Sequence, residues 1–350
     1  MDFGPGLMSA DSHVEEPDDL WLTRLPEHLR DRAPRYVDGE DGMRRLVIEG
    51  HRLGWSKRSA EEHERRAAAV DPNERLKSMD VDSVHGEVMY PTIGLHVWKI
   101  EDPELGTAVM RVYNDYVAET YAQQSPRFRP PGMIPVYTIE GATEEMRRIA
   151  KIGIRAAMLP LKAEDRSYNY PAYDQVWATA VELGMPISFH NGTGYDMIFY
   201  NGPGSGVANY ATSCSQAIQT HALLVMSGAM ERFPDLHWTA VECGGGWMAW
   251  LMNILDEGYT DLHQMASVKL KEMPSFYLKR QAHATFQDDP VAVAGRSFTG
   301  NFPLLWGNDY PHAEGTWPHS REAIARQMAG VAEEDIRDIV SNNAARIWGF

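Results

Sequence analysis

The sequence predicts an α/β protein, a (β/α)8 barrel of the TIM type with an insertion between its first two strands. Three observations carry that expectation. Short apolar, β-rich runs alternate with longer amphipathic stretches, which is the pattern of βαβ units around a parallel sheet. Eight such runs follow one another without an obvious reversal, which favours a closed barrel over an open doubly wound sheet. The chain has 350 residues, 43% hydrophobic and 23% charged, a length that suits one barrel and buries roughly three quarters of the unfolded surface.

In chain order the expected strands are 7–14, 83–90, 132–137, 154–161, 186–190, 236–242, 283–286 and 303–309. Between them the 3.6-residue apolar period predicts helices over 103–124, 143–151, 173–183, 215–233, 247–261 and 318–328. Residues 333–350 read as a C-terminal helix closing the barrel. The stretch 34–82 breaks the rhythm: it is rich in Arg and Glu, contains Trp55, and reads as part hairpin and part helix. It is expected to lie over the barrel mouth as a lid or oligomer contact within a single domain spanning 1–350.

Charge narrows the partners. Lys+Arg 33 against Asp+Glu 49 gives a net charge of −16, the wrong sign for non-specific binding to nucleic acid or an anionic membrane. Two cysteines, Cys214 and Cys243, make no disulfide framework. There is no basic n-region with an apolar h-region at the start and no run of about 18 apolar residues. The expectation is a cytoplasmic enzyme, a homodimer, with a small-molecule substrate.

Three strand ends offer metal-competent side chains. Asp11-Ser12-His13 closes the first strand, and residues two apart on a strand share a face. His190 ends the run Ile187-Ser188-Phe189 before Asn191-Gly192. Asp309 follows Leu304-Leu305-Trp306-Gly307-Asn308 and precedes Tyr310-Pro311-His312. Each alone has an ordinary structural reading, a core histidine or a helix N-cap. In a closed barrel the four groups converge, and mixed imidazole and carboxylate donors suit Zn, Mn, Fe or Co.

The segments ADSHVEEPDDLW, FHNG, RFPDLHWTAVECGGGW, GNDYPH and NNAARIWG resemble the amidohydrolase superfamily, in the branch of aminocarboxymuconate-semialdehyde decarboxylase and the hydroxybenzoate decarboxylases. The resemblance implies a distorted (β/α)8 barrel with one divalent metal at Asp11, His13, His190 and Asp309. It also implies a catalytic histidine at the end of the sixth strand. Here that stretch reads Val241-Glu242-Cys243-Gly244-Gly245-Gly246-Trp247, so either Glu242 or Cys243 takes the histidine's place. A carboxylate at a metal mouth serves as base or ligand, which favours Glu242.

Around this centre, Asp309, Glu242 and His221 are the candidate catalytic residues, with Glu242 a fifth candidate ligand. His312, Trp247, Tyr195 and His283 are candidates for holding substrate, and Lys162 for a substrate carboxylate. The first functional reading is a metal enzyme acting on a small cyclic or aromatic carboxylated or carbonyl compound. It proceeds by hydrolysis or non-oxidative decarboxylation, with hydrolysis favoured by the missing imidazole. The rival reading is a two-iron, O2-dependent monooxygenase, in which Glu242 and a further histidine such as His221 complete a second site. A non-catalytic binding protein on the same barrel is the third class.

Overall fold

The computed structural model describes residues 6–39, 44–49, 51–53, 60–163, 167–193 and 200–350; the expectations for Trp55 and Tyr195 lie outside them. Strand β1 (Leu7–Val14) opens the chain and is buried along its whole length. Three short strands follow, β2 (Arg35–Asp38), β3 (Arg44–Ile48) and β4 (His51–Leu53), then β5 (Val84–Pro91) and β6 (Phe128–Arg129). The series continues with β7 (Gly132–Met133), β8 (Ala157–Pro160), β9 (Ile187–His190), β10 (Trp238–Val241), β11 (Ala282–Phe286) and β12 (Leu304–Trp306).

Two parallel sheets result. One has the order β1-β5-β6 and the other β12-β11-β10-β9-β8-β7, with helices between successive strands. All eight expected strands form, most of them trimmed by a few residues. The third is the most altered: of 132–137 only Gly132–Met133 pair, as β7, and the short β6 precedes it across Pro130-Pro131, residues that have no N–H for a ladder. On the other side, the segment after β12 bonds to β1, Asp309 N–H to Asp11 O at 2.8 Å and His13 N–H to Tyr310 O at 2.7 Å. Gly307 makes this approach possible, since a Cβ there would stand 2.5 Å from the Asp11 Cβ.

Helix starts are set by local chemistry. Asp71, Asp102 and Asp289 each accept backbone N–H bonds at an N-cap and are followed by proline. The expected helix over 215–233 breaks at Gly228, whose φ is +75°, into Ser215–Met226 and Ala229–Arg232. Helices Pro274–Gln281 and Pro290–Thr299 form where the sequence pattern marks none; each is short and leaves little room for a 3.6-residue period. Among the described residues, no helix is long and apolar enough to cross a membrane.

Residues 34–82 hold the antiparallel sheet β2-β3-β4 and helices Ala60–Ala69 and Pro72–Val81. The second helix delivers Arg75, fully buried, to the back of the first strand. Its guanidinium bonds to Glu87 Oε2 at 2.7 Å and to the carbonyls of His13 and Tyr310 at 2.6 and 3.3 Å, with the Tyr310 ring 4.6 Å away. The same seam carries a buried amide. Asn308 Oδ1 accepts from Ser9 and Ser12, and its Nδ2 donates to Asp82, which in turn accepts from Ser320.

At the N-terminal ends of the strands, His237 Nδ1 and His283 Nε2 meet at 3.0 Å, and His283 Nδ1 bonds to the Phe302 carbonyl. Burial pushes His237 down to about 4, and burial together with His237 pushes His283 well below the usual histidine range.

Two expectations follow. Arg75→Met leaves the Glu87 carboxylate buried without its partner, so denaturant unfolding should show a loss of about 3–5 kcal/mol, with much of it recovered in Arg75→Met/Glu87→Met. The histidine pair is neutral when folded, whereas unfolded histidine takes up a proton near pH 6.5. Its contribution is therefore full above pH 6.5 and lost as the pH falls toward 4. Wild type should lose stability between pH 7.5 and 5, and His237→Gln should lose measurably less.

Candidate metal centre

Four of the expected ligands come together, fully buried, where the strands end: Asp11, His13, His190 and Asp309. Local irregularities aim them. The pairing of β1 with β5 steps from Ser9–Glu87 to Ser12–Met89, so β1 carries one extra residue beside Asp11, a bulge that redirects a side chain. Glu242 and Asp309, which follow β10 and β12, both have left-handed backbones with φ of +57° and +55°. That region is costly for a residue with a Cβ and persists where surrounding structure imposes it.

The donor atoms face one another. His13 Nε2 lies 3.3 Å from Asp309 Oδ1, 3.8 Å from Glu242 Oε2 and 3.9 Å from Asp11 Oδ1. His190 Nε2 lies 3.6 Å from both Asp11 Oδ1 and Glu242 Oε2. Ligands about 2.1 Å from one cation stand roughly 3.0–3.5 Å apart, so this spacing is close to that of a coordination shell.

The hydrogen bonds tell the same story by where they stop. His13 Nδ1 bonds to the Pro91 carbonyl and His190 Nδ1 to the Asn191 carbonyl, both at 2.9 Å. Asp11 Oδ2 accepts from Thr285 at 3.2 Å and Gln287 at 3.3 Å. The opposite atoms, Asp11 Oδ1, His13 Nε2, His190 Nε2 and both Asp309 oxygens, are buried and make no hydrogen bond. Anchoring one atom of a ligand and leaving the other bare is the arrangement that orients metal ligands. The donor set therefore fits one divalent cation, and Asp11, His13 and His190 alone place their ligand atoms within 4.8 Å of one another.

Without a cation, burial favours the neutral forms of Glu242, Asp309 and His13. Burial raises Glu242 well above the usual carboxylate range, with Asp309 and Asp11 adding to the push, and raises Asp309 to about 6. Burial lowers His13 to about 3, reinforced by the neighbouring His312.

The other candidates divide. Glu242, not Cys243, reaches the imidazoles; the Cys243 thiol turns back to the Val241 carbonyl at 3.1 Å. His312 joins the centre, with Nδ1 3.1 Å from Asp309 Oδ1 and its ring 4.0 Å from that of His13. His221 does not. It packs against Phe189, whose side chain leaves β9 on the face opposite His190, and its Nδ1 bonds to the Ala217 carbonyl. Trp247 is spent on the turn before it: the indole N–H donates to the Cys243 and Gly244 carbonyls. His283 lies at the wrong end of its strand, paired with His237. Thr285 and Gln287 were missed. Thr285 shares a face of β11 with His283, and Gln287, one residue past the strand, continues the same two-residue period toward Asp11.

A cavity of about 290 Å³ opens beside the centre, lined in part by Asn191, Tyr210, Ser213, Glu242, Phe286 and Glu314. That is at the small end of the range for ligand pockets.

Comparison with known proteins bears on the whole chain. The sequence model of the amidohydrolase family matches residues 19–350. The gamma-resorcylate decarboxylase of Rhodococcus jostii (strain RHA1) is 27% identical over 295 residues, 78% of this chain and 86% of that protein. Among solved structures, an amidohydrolase from Mycobacterium avium subsp. paratuberculosis K-10 superposes with a TM-score of 0.80 at 19% identity, covering 98% of this chain and 99% of the other. A dihydroxybenzoic acid decarboxylase from Polaromonas sp. JS666, solved with manganese and the inhibitor 2-nitroresorcinol, gives 0.69 at 16% identity, covering 98% and 97%. With its ligand-type residues gathered at the strand ends and its length matched almost throughout, the chain belongs to the amidohydrolase family, in the branch of the aminocarboxymuconate-semialdehyde and hydroxybenzoate decarboxylases.

Proposed function

We propose that this protein is a metal-dependent decarboxylase of a small hydroxylated aromatic carboxylate, replacing the carboxylate with hydrogen and releasing CO2. The observation that carries the reading is the set of bare, buried donors on Asp11, His13, His190 and Asp309 with a third carboxyl, Glu242, beside them. The two parallel sheets are read as parts of one (β/α)8 barrel. Residues 34–82 are read as a wall of its mouth, since Arg65 bonds to the Pro311 carbonyl and Arg66 pairs with Glu15. The relatives named above shift the balance from hydrolysis, which the missing imidazole favoured, toward decarboxylation; the oxygenase reading gains no support from them.

Asp11, His13, His190 and Asp309 would hold a divalent cation, which would supply a Lewis acid toward a substrate's carboxylate or phenolate oxygens. Everything else falls to the chain. The cavity of about 290 Å³ beside these donors has room for one ring. Decarboxylation also needs a proton delivered to the ring carbon that loses CO2. Glu242 is placed to deliver it. Its backbone N–H is tied to Thr285 Oγ1 at 2.8 Å, and burial among Asp309 and Asp11 favours its protonated form. It thus takes over the part that an imidazole plays in the resembling decarboxylases. His312 borders Asp309 and lies where a substrate oxygen would arrive.

Three measurements test this. His190→Ala should bring metal content, read by mass spectrometry, down to background while wild type carries about one tightly held divalent ion per chain; retention of the ion would sink the assignment. Glu242→Gln should keep that ion but lose roughly 10²–10⁴-fold in turnover on hydroxybenzoates, with CO2 release as the readout. Gly307→Ala drives a methyl group into Asp11 and should weaken the metal by more than tenfold while the protein stays folded by circular dichroism.

A further inference from the structure

One hydroxyl joins two groups that the proposed reaction needs. Thr285 lies on β11 and is fully buried. Its Oγ1 accepts the Glu242 backbone N–H at 2.8 Å and lies 3.2 Å from Asp11 Oδ2. The amide has a proton to give, so the hydroxyl oxygen accepts there, and its own single proton is left for the carboxylate. A threonine side chain is branched at Cβ and has few rotamers, so the strand sets the direction in which the hydroxyl points.

Both ends of this relay are places where position matters. Asp11 Oδ2 takes the Thr285 proton and a second bond from Gln287 Nε2 at 3.3 Å, which leaves Oδ1 bare, 3.6 Å from His190 Nε2. Glu242 has a left-handed backbone with φ of +57°, a conformation that is costly for a residue with a Cβ and persists only where its surroundings impose it. Thr285 Oγ1 is the acceptor for the N–H at that turn. The Glu242 carboxyl then stands 3.6 Å from His190 Nε2 and 3.8 Å from His13 Nε2. Thr285 is not among the residues that line the cavity beside the centre. It acts through Asp11 and Glu242, not by touching a substrate.

We propose that Thr285 is a positioning residue that couples the candidate metal centre to the Glu242 carboxyl. Its hydroxyl turns Asp11 Oδ1 toward the other donors and, with the same oxygen, holds the turn from which Glu242 delivers its proton. The second half rests on the reading of Glu242 as proton donor given above. The coupling has a direction. Asp11 is fixed in orientation once it holds a cation, a fixed carboxylate orients the Thr285 O–H, and an oriented hydroxyl presents its lone pair to the Glu242 N–H. Loading the donors therefore tightens the turn that carries the acid. Valine has the shape of threonine without the hydroxyl, so Thr285→Val removes both bonds at once and leaves the Glu242 N–H unpaired.

The test compares full-length wild type, Thr285→Val and Thr285→Ser in three readouts. In chelator-stripped protein, hydrogen exchange of the Glu242 amide should quicken at least roughly tenfold in Thr285→Val. Added Mn2+ should slow that exchange in wild type but not in the valine variant. Affinity for Mn2+ should fall by about tenfold in Thr285→Val. At saturating Mn2+, its kcat on a hydroxybenzoate should fall roughly ten- to a hundredfold with KM little changed. Thr285→Ser keeps the hydroxyl and should restore all three most of the way. Weaker Mn2+ binding with unchanged exchange at Glu242 would overturn the coupling, and so would faster exchange with unchanged Mn2+ affinity or a serine variant no better than valine. A wild type inactive on hydroxybenzoates would remove the proposed reaction, while the exchange and Mn2+ readouts still decide whether Thr285 links Asp11 to Glu242. If Thr285→Val fails to fold by circular dichroism, Thr285→Ala is read in the same three ways.

Discussion

Gathering three carboxylates and two imidazoles at one set of strand ends is the constraint on which the rest of this protein turns. Asp11, His13, His190 and Asp309 are fully buried, and their facing atoms make no hydrogen bonds. A buried polar atom left without a partner costs on the order of 1–3 kcal/mol, and a buried charge costs more. A chain that keeps several such atoms together needs a cation to satisfy them and a frame stiff enough to hold them apart until it arrives.

That frame lies behind the ligands. Arg75, itself buried, bonds to the carbonyls of His13 and Tyr310 and is neutralised by Glu87, so one guanidinium ties the ends of two ligand-bearing segments to a neighbouring strand. Asn308 does the same with amide chemistry, joining Ser9 and Ser12 to Asp82. The left-handed backbones of Glu242 and Asp309 show what this stiffness is for. Each sits where a strand has ended and the chain must turn back, and each would relax if the surrounding bonds did not impose the conformation.

The replacement of an imidazole by Glu242 changes the electrostatics more than the shape. An imidazole beside the four candidate ligands would be neutral or positive; a carboxyl adds a third acid, and burial beside the others raises the proton affinity of Glu242 and Asp309. Such a group either keeps a proton and can deliver it, or gives the proton up to a cation. The proposed reaction uses the first property.

Much of this was legible in the amino-acid order. Strand and helix alternation depends on local periodicity, and the candidate ligands stood out because they end the first, fifth and last expected strands, where a parallel α/β sheet brings side chains together. Glu242 was legible by its place before three glycines. What the chain order did not decide was which histidines face the mouth. His221, Trp247 and His283 were named for chemistry and turned out to be committed to a helix layer, a turn and the far end of a strand. Residue type says what a side chain can do, but depth along a strand and the face of a helix are set by packing between segments far apart in sequence. Arg75 and Asn308 carried no local signal at all. Their roles come from contacts across as many as 299 positions, and only the folded chain brings those partners within bonding distance.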